Sequence, residues 1–316
     1  MKKISILIPA YNEQEVLEHL YHRLGKLAND TKKYEFEFLF VNDGSRDDTM
    51  TIIKEYAAQD NRVAYVDLSR NFGKEIAMIA GLDHVTGDAT VIIDADLQDP
   101  PELIPEMIKF WEEGYDDVYA KRRSREGESW FKKASSKLYY SILQKATHIT
   151  IQQDTGDFRL LDKRCVEALT NIRESQRYTK GMFSWIGYKK KEIMYDRDPR
   201  LAGKTKWNYP KLVNFAIDGI TSFTTMPLRI SSVIGIVVSI VAFIFIVLLV
   251  VRTILYGDPV EGYPSLMAVI LFLGGVQLLS LGIIGEYIGR IFNETKNRPL
   301  YFVEEHHRAG TDKKTR

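Results

Sequence analysis

An α/β domain with a mostly parallel sheet flanked by helices, followed by a two-helix membrane hairpin, is the fold class this sequence predicts. Three observations predict it. Short runs rich in Ile, Val and Phe alternate with helical segments as far as Ala120, the pattern of a parallel sheet. Polar residues and acids stand directly after several of those runs. No charged residue occurs from Ile230 to Val251, nor from Gly262 to Gly285.

Taken in order, Lys3–Pro9 reads as a buried strand ended by Pro, with Ala10-Tyr11-Asn12-Glu13 as a turn. A helix follows from about Glu13 to Leu27, with Val16, Leu17, Leu20, Leu24 and Leu27 on one face. Phe36–Val41 is a second strand and ends in Asn42-Asp43-Gly44-Ser45. The helix from about Asp47 to Ala58 opens with acids, which the helix dipole favours. Val63–Leu68 is a third strand, and Arg70-Asn71-Phe72-Gly73-Lys74 leads into a mostly buried helix. Ala89–Ile93 is the fourth strand, Pro101–Glu113 a helix and Val118–Ala120 a short fifth strand. Amphipathic helices are expected over Ser129–Thr147, on the sheet or at the lipid headgroups, and over Pro210–Met226 at the headgroups. The tail after Glu304 is polar and expected to be disordered. The resulting division is 1–208 for the α/β domain, 209–228 for a juxtamembrane helix, 229–252 and 264–289 for the spans, and 290–316 for a tail.

Composition narrows the function. A length of 316 residues fits one or two domains, and 45% hydrophobic residues suffice for a core. The net charge of +1 gives no case for nucleic acid. The single Cys165 excludes an internal disulfide and fits a reducing compartment. No signal core is expected at the N-terminus, because its apolar run stops at Pro9. At 1.5 Å per residue, a run of 22 residues spans roughly 33 Å, about a bilayer core. Arg197, Arg200, Lys204, Lys206, Lys211 and Arg229 precede the first span; Arg290, Lys296 and Arg298 follow the second. The link carries Arg252 against Asp258 and Glu261. Both termini are therefore expected on the cytoplasmic side of the inner membrane.

Ligands of parallel α/β sheets bind beyond the C-terminal ends of the strands. Here those ends carry Asn12-Glu13, Asp43 and Asp94-Ala95-Asp96, expected to converge on one crevice. No G-x-G-x-x-G follows the first strand, which disfavours a dinucleotide-binding enzyme. Asp94 and Asp96, one residue apart at a strand tip, suit Mg²⁺ or Mn²⁺. Such cations take oxygen ligands and need few from protein when phosphates supply more. Acids at strand tips are also ordinary turn residues, which is the alternative.

Together the motifs resemble the inverting family 2 glycosyltransferases of GT-A fold, and more narrowly the polyprenyl-phosphate glycosyltransferases. Those motifs are Ile8-Pro9-Ala10-Tyr11-Asn12-Glu13, Val41-Asn42-Asp43-Gly44-Ser45-Arg46-Asp47-Asp48-Thr49, Arg70–Lys74, Asp94-Ala95-Asp96-Leu97-Gln98-Asp99-Pro100-Pro101 and Asp154-Thr155-Gly156-Asp157-Phe158-Arg159-Leu160. The resemblance covers roughly residues 3–300. It implies that Pro9, Tyr11, Asn12, Glu13, Asp43, Asp94 and Ala95 bind a nucleotide sugar, UDP-linked by preference. It implies that Asp94, Asp96 and Gln98 hold the metal, with Asp96 essential to catalysis. Asp157 is implied as the base, or as an orienting or charge-stabilising group; a turn or cap acid is the structural alternative. Arg200, Lys204 and Lys206 resemble the family's acceptor loop and are implied to bind the acceptor or the diphosphate, with a positive-inside flank as the alternative; Arg122, in the basic run Arg122-Arg123-Ser124-Arg125, is a candidate for the same role or a solvated surface residue. The implied acceptor is a polyprenyl phosphate in the bilayer. A separate flippase and a downstream glycosyltransferase are expected, and self-association stays open. A GDP-mannose-dependent sibling and a non-catalytic adaptor of the same fold are the alternatives. A processive synthase is disfavoured, because no Q-x-x-R-W motif occurs and only two spans are found.

Overall fold

The computed structural model describes residues 1–123, 152, 155–175, 177–196, 221, 224–256 and 262–310. Two compact units divide the chain: Met1–Val213 with Pro299–Arg316, and Asn214–Arg298.

The first unit holds β1 (Lys3–Ala10), α1 (Leu17–Asp30), β2 (Glu35–Asn42), α2 (Thr49–Gln59), β3 (Val63–Leu68), α3 (Lys74–His84) and β4 (Ala89–Ile92). A 3-10 turn at Pro101–Leu103 leads into α4 (Ile104–Glu112), then β5 (Asp117–Arg122), β6 (Thr155–Asp162), α5 (Lys163–Asn171), α6 (Thr179–Trp185) and β7 (Lys190–Tyr195). A last strand, β8 (Val303–His307), belongs to the same unit. The sheet has eight strands in the order β7-β5-β6-β4-β1-β2-β3-β8. β1 to β4 run parallel, β5 is parallel to β7, and β6 and β8 are antiparallel to their neighbours.

The strand order explains where a site forms. The chain builds β1, β2 and β3 in one direction, then returns to place β4 on the other side of β1. The connections therefore diverge between β1 and β4 and leave a crevice beyond their C-terminal ends. Apolar side chains on both faces of the sheet hold these strands rigid. Ile4, Ile6 and Ile8 join a cluster with Leu17, Leu20 and Leu24 of α1, Ile53 of α2, and Ile104 and Met107 of α4. On the other face, α3 comes so close to β1 that a Cβ on Gly81 would sit 2.0 Å from Cδ1 of Leu7. A larger residue at position 81 would displace the buried Leu7 side chain, so glycine lets α3 lie close over the sheet.

Several elements depart from the sequence reading; the helix expected from Asp47 begins at Thr49, with no acid in its first turn. The helix expected from Glu13 begins at Leu17, because Glu13 is used in the preceding turn, where its carbonyl accepts from Val16 and Leu17. The Asp154–Leu160 motif lies largely in β6, a strand the alternation did not reveal. The expected disorder after Glu304 is corrected: Val303–His307 pair with β3, and Gly310 donates to the carbonyl of Asn61. Glu305 anchors this strand by accepting from Lys54 at 2.5 Å and from the Tyr65 hydroxyl at 2.6 Å. Polar composition misled because the strand covers a sheet edge, where one face stays in water. The amphipathic segments expected at 129–147 and 210–226 lie almost wholly outside the described residues.

The second unit contains α7 (Met226–Tyr256) and α8 (Tyr263–Thr295). Each includes a stretch long and apolar enough to cross a membrane, Met226–Phe245 and Phe272–Thr295. Their large apolar side chains are exposed within the unit; Phe243 and Leu278 are 67% and 71% accessible. That exposure fits lipid as the surrounding medium. Glu286 and Arg290 make the expected i, i+4 pair at 3.0 Å.

Candidate active site

Backbone clasps shape the floor of the crevice. Past the end of β1, Asn12 adopts φ +55°, a conformation asparagine tolerates. Its amide donates to Ser45 Oγ at 3.0 Å, and its side-chain oxygen accepts from Arg46 N at 2.8 Å. Glu13 N donates to Thr49 Oγ1 at 2.9 Å. The loops after β1 and β2 are thus joined, with Pro9 near the end of β1 and Tyr11 and Asn12 just beyond it.

Asp43 is anchored by the loop after β3 rather than by a turn of its own. The Asx-type turn belongs to Asn42, whose side-chain oxygen accepts from Ser45 N. The Asp43 carboxylate, only 3% exposed as a residue, accepts from Phe72 N at 2.7 Å, Gly73 N at 2.9 Å and Asn71 Nδ2 at 3.0 Å. Burial pushes its pKa up, although the two backbone donors oppose the shift. Gly44 makes the junction possible: it has φ +65°, and a Cβ there would lie 2.5 Å from backbone atoms of Arg70 and Asn71. Asp43 and Gly44 therefore hold the loop that delivers Lys74 to the crevice.

The acidic pair follows β4, which ends when Ile93 N bonds the carbonyl of Leu7. Asp94, Asp96 and Gln98 are half-buried, while the alternate residues Ala95, Leu97 and Asp99 are buried. Two features fix this turn. Leu97 sits at φ +61°, a strained value for leucine. Asp99 accepts from the Tyr195 hydroxyl at 2.7 Å, which ties the turn to β7.

β6 brings the next acid. Arg159 pairs with Ile92 at the end of β4, so Asp157, two residues earlier on an antiparallel strand, lies at the same edge. A turn or cap role for Asp157 is thereby replaced by a strand position. Arg122, the last residue of β5, reaches that edge too; its guanidinium lies 3.7 Å from where a Cβ of Gly156 would be. Arg200, Lys204 and Lys206 lie outside the described residues.

Lys74, quoted in a motif but given no role by sequence, joins the two acids. Its Nζ lies 2.6 Å from Asp94 and 2.6 Å from Asp157. Burial opposes the charge on Lys74, but Asp157 and Asp94 outweigh it and hold its pKa well above the ordinary lysine value. Burial likewise opposes ionisation of Asp157, yet Lys74 and then Lys180 bring it down to about 2. The neighbouring Glu75 goes the other way: burial, then the charge of Asp157, push it up to about 8. Burial lowers Lys180, at the start of α6. No pairing rule links a lysine at the start of α3 to acids on β4 and β6, so only the topology reveals this cluster.

The donor set suits a hard divalent cation. Among the described residues no group of three or more His, Cys, Asp or Glu side chains is arranged to hold a metal. Two carboxylates and an amide oxygen suffice when phosphates complete the shell. Gln98 Oε1 is buried without a hydrogen-bond partner among the described residues, an acceptor left for a cation to satisfy.

With this geometry, the matches to known proteins decide the family. Residues 5–170 match the model of glycosyl transferase family 2, and residues 226–291 match that of the GtrB C-terminal hairpin. The chain belongs to glycosyl transferase family 2. This glycosyl transferase family 2 chain is 49% identical to an uncharacterized glycosyltransferase of Synechocystis, sll0501, over 96% of its length and 95% of the relative's. It is 45% identical to the putative glycosyltransferase CsbB of Bacillus subtilis, over 96% of this chain and 91% of that one. It is 44% identical to the bactoprenol glucosyl transferase of Shigella phage SfII, over 98% and 99%.

Proposed function

We propose that this chain transfers a sugar, glucose or N-acetylglucosamine, from a UDP-sugar to a polyprenyl phosphate such as undecaprenyl phosphate, with inversion. The observation that carries the reading is the 44% identity, over nearly the full length of both chains, to a protein named bactoprenol glucosyl transferase. The acidic edge of the sheet and the two apolar helices support it, since the donor is a soluble diphosphate and the acceptor a lipid.

Asp94, Asp96 and Gln98 would hold Mg²⁺ or Mn²⁺, which when bound neutralises charge on the departing diphosphate. Tyr11, Asn12 and Glu13, on the rim beyond β1, would line the nucleotide pocket beside Pro9 and Ala95. Asp43 would act there chiefly through the Arg70–Lys74 loop it holds. One lipid phosphate oxygen forms a bond to the anomeric carbon while the bond to UDP breaks on the opposite face. That phosphate has its second pKa at about 6 and is largely dianionic at neutral pH, so no proton need be removed. A carboxylate held as low as Asp157 is a weak base. Its fixed negative charge instead stabilises positive charge developing at the anomeric carbon. Arg122, with Arg200, Lys204 and Lys206, would bind the phosphates of donor and acceptor. The catalytic unit and both termini are assigned to the cytoplasmic side, with flipping and onward transfer left to other proteins.

A donor screen tests this reading. Purified protein, undecaprenyl phosphate and Mg²⁺ are combined with UDP-glucose, UDP-N-acetylglucosamine or GDP-mannose, each with and without chelator. A UDP-sugar should give a glycolipid that the chelator suppresses. GDP-mannose as the sole donor would replace the donor assignment, and no product from any donor would leave the adaptor reading.

A further inference from the structure

Two carboxylates stand at the same edge of the sheet, Asp94 past the end of β4 and Asp157 on the neighbouring β6, both within reach of one ammonium. Unshielded like charges so close would force a proton onto one of them or push them apart. Lys74 prevents both, and it stands where it does for structural reasons already given. Its loop is pinned by three hydrogen bonds to Asp43, and its helix is seated on β1 through Gly81. The Lys74 side chain is 43% exposed and Asp94 26%, whereas Asp157 is only 12% exposed. The Asp94 side of the bridge is thus the more open to solvent of the two.

We propose that Lys74 is a positioning residue that acts as an internal counter-cation: it holds Asp94 and Asp157 in register before the donor binds, yields Asp94 to the donor's divalent cation, and keeps Asp157 in place. This inference rests on the function proposed above. The asymmetric exposure sets the direction of the exchange, since water screens the Lys74–Asp94 contact more than the Lys74–Asp157 contact. Asp94 is the shared ligand, so Lys74 and the divalent cation compete for it. The competition leaves the crevice charge nearly balanced with or without donor.

The test is Mn²⁺ binding to the full-length protein in detergent, read by the electron paramagnetic resonance of free Mn²⁺ without donor or turnover. Lys74→Met keeps the length of the side chain and removes its charge. It should bind Mn²⁺ about tenfold more tightly than wild type, about 1.4 kcal/mol, while kcat falls at saturating Mn²⁺ with the donor KM little changed. A merely structural role for Lys74 would weaken both binding and turnover. Lys74→Arg keeps the competing charge and should bind Mn²⁺ within about threefold of wild type, taking threefold as roughly half of a tenfold step. Equal or weaker Mn²⁺ binding by folded K74M overturns the proposal; K74Q, neutral and shorter, serves the same comparison if K74M does not fold. Wild-type binding unaffected by Asp96→Asn would instead overturn the metal site beneath it.

Discussion

At the scale of single residues, the crevice depends on side chains whose charges are set by one another. Asp157 ionises easily because Lys74 and Lys180 face it, and Glu75 ionises with difficulty because it is buried and Asp157 faces it. Glu75 has a consequence for stability. Its carboxyl titrates near its ordinary 4.5 in the unfolded chain and near 8 in the folded one. Its contribution to folding is therefore full below pH 4.5 and is lost as pH rises toward 8. Glu75→Gln is neutral throughout, so its melting temperature should exceed that of wild type by a margin that widens from pH 5 to pH 8. A constant margin across that range would contradict the assignment. Gly44 gives a second expectation. Gly44→Ala puts a Cβ 2.5 Å from the Arg70–Asn71 backbone at a positive φ that alone costs about 1–2 kcal/mol. The variant should lose stability by at least that amount in denaturant titration, and most of its turnover, because the loop bearing Lys74 must move.

At the scale of elements, β8 closes the sheet. Without it β3 would offer an unpaired edge with Tyr65 and Val66 on it, a template for aggregation. Tyr301 reinforces the closure by donating to Asp83 at 2.7 Å, and Arg173 binds the same carboxylate at 2.8 Å. Truncation after Arg298 should therefore lower the melting temperature and promote aggregation in detergent, followed by light scattering during a thermal ramp. An unchanged transition would show that the strand is dispensable. The contrast between this strand and β1–β4 shows what a sequence discloses. Ile4, Ile6, Phe38, Phe40 and Val91 are buried among apolar neighbours, so each central strand is legible from its own composition. β8 is Val-Glu-Glu-His-His, and its reason to be a strand lies in Lys54 and Tyr65, more than two hundred residues away. The acids at the strand tips were legible because they end apolar runs. Lys74 was legible only as part of a motif, since its two partners lie on separate strands that the sheet brings together.

At the scale of the molecule, two units serve one proposed reaction. The α/β unit carries the acids and the rim proposed to hold the nucleotide, and α7 and α8 present apolar side chains on a scale that suits lipid. The full chain should stay with membranes under alkaline carbonate extraction; release to the supernatant would show that the helices do not span. The proposed account joins a metal-assisted diphosphate departure to a lipid phosphate nucleophile, and a single product analysis tests both halves together. Purified full-length protein is incubated with UDP-glucose, undecaprenyl phosphate and Mg²⁺, and the lipid fraction is analysed by mass spectrometry and by the anomeric coupling in nuclear magnetic resonance. The account predicts a β-linked undecaprenyl phosphate hexose from wild type and none from Asp96→Ala. An α-linked product, or equal product from Asp96→Ala, would contradict it.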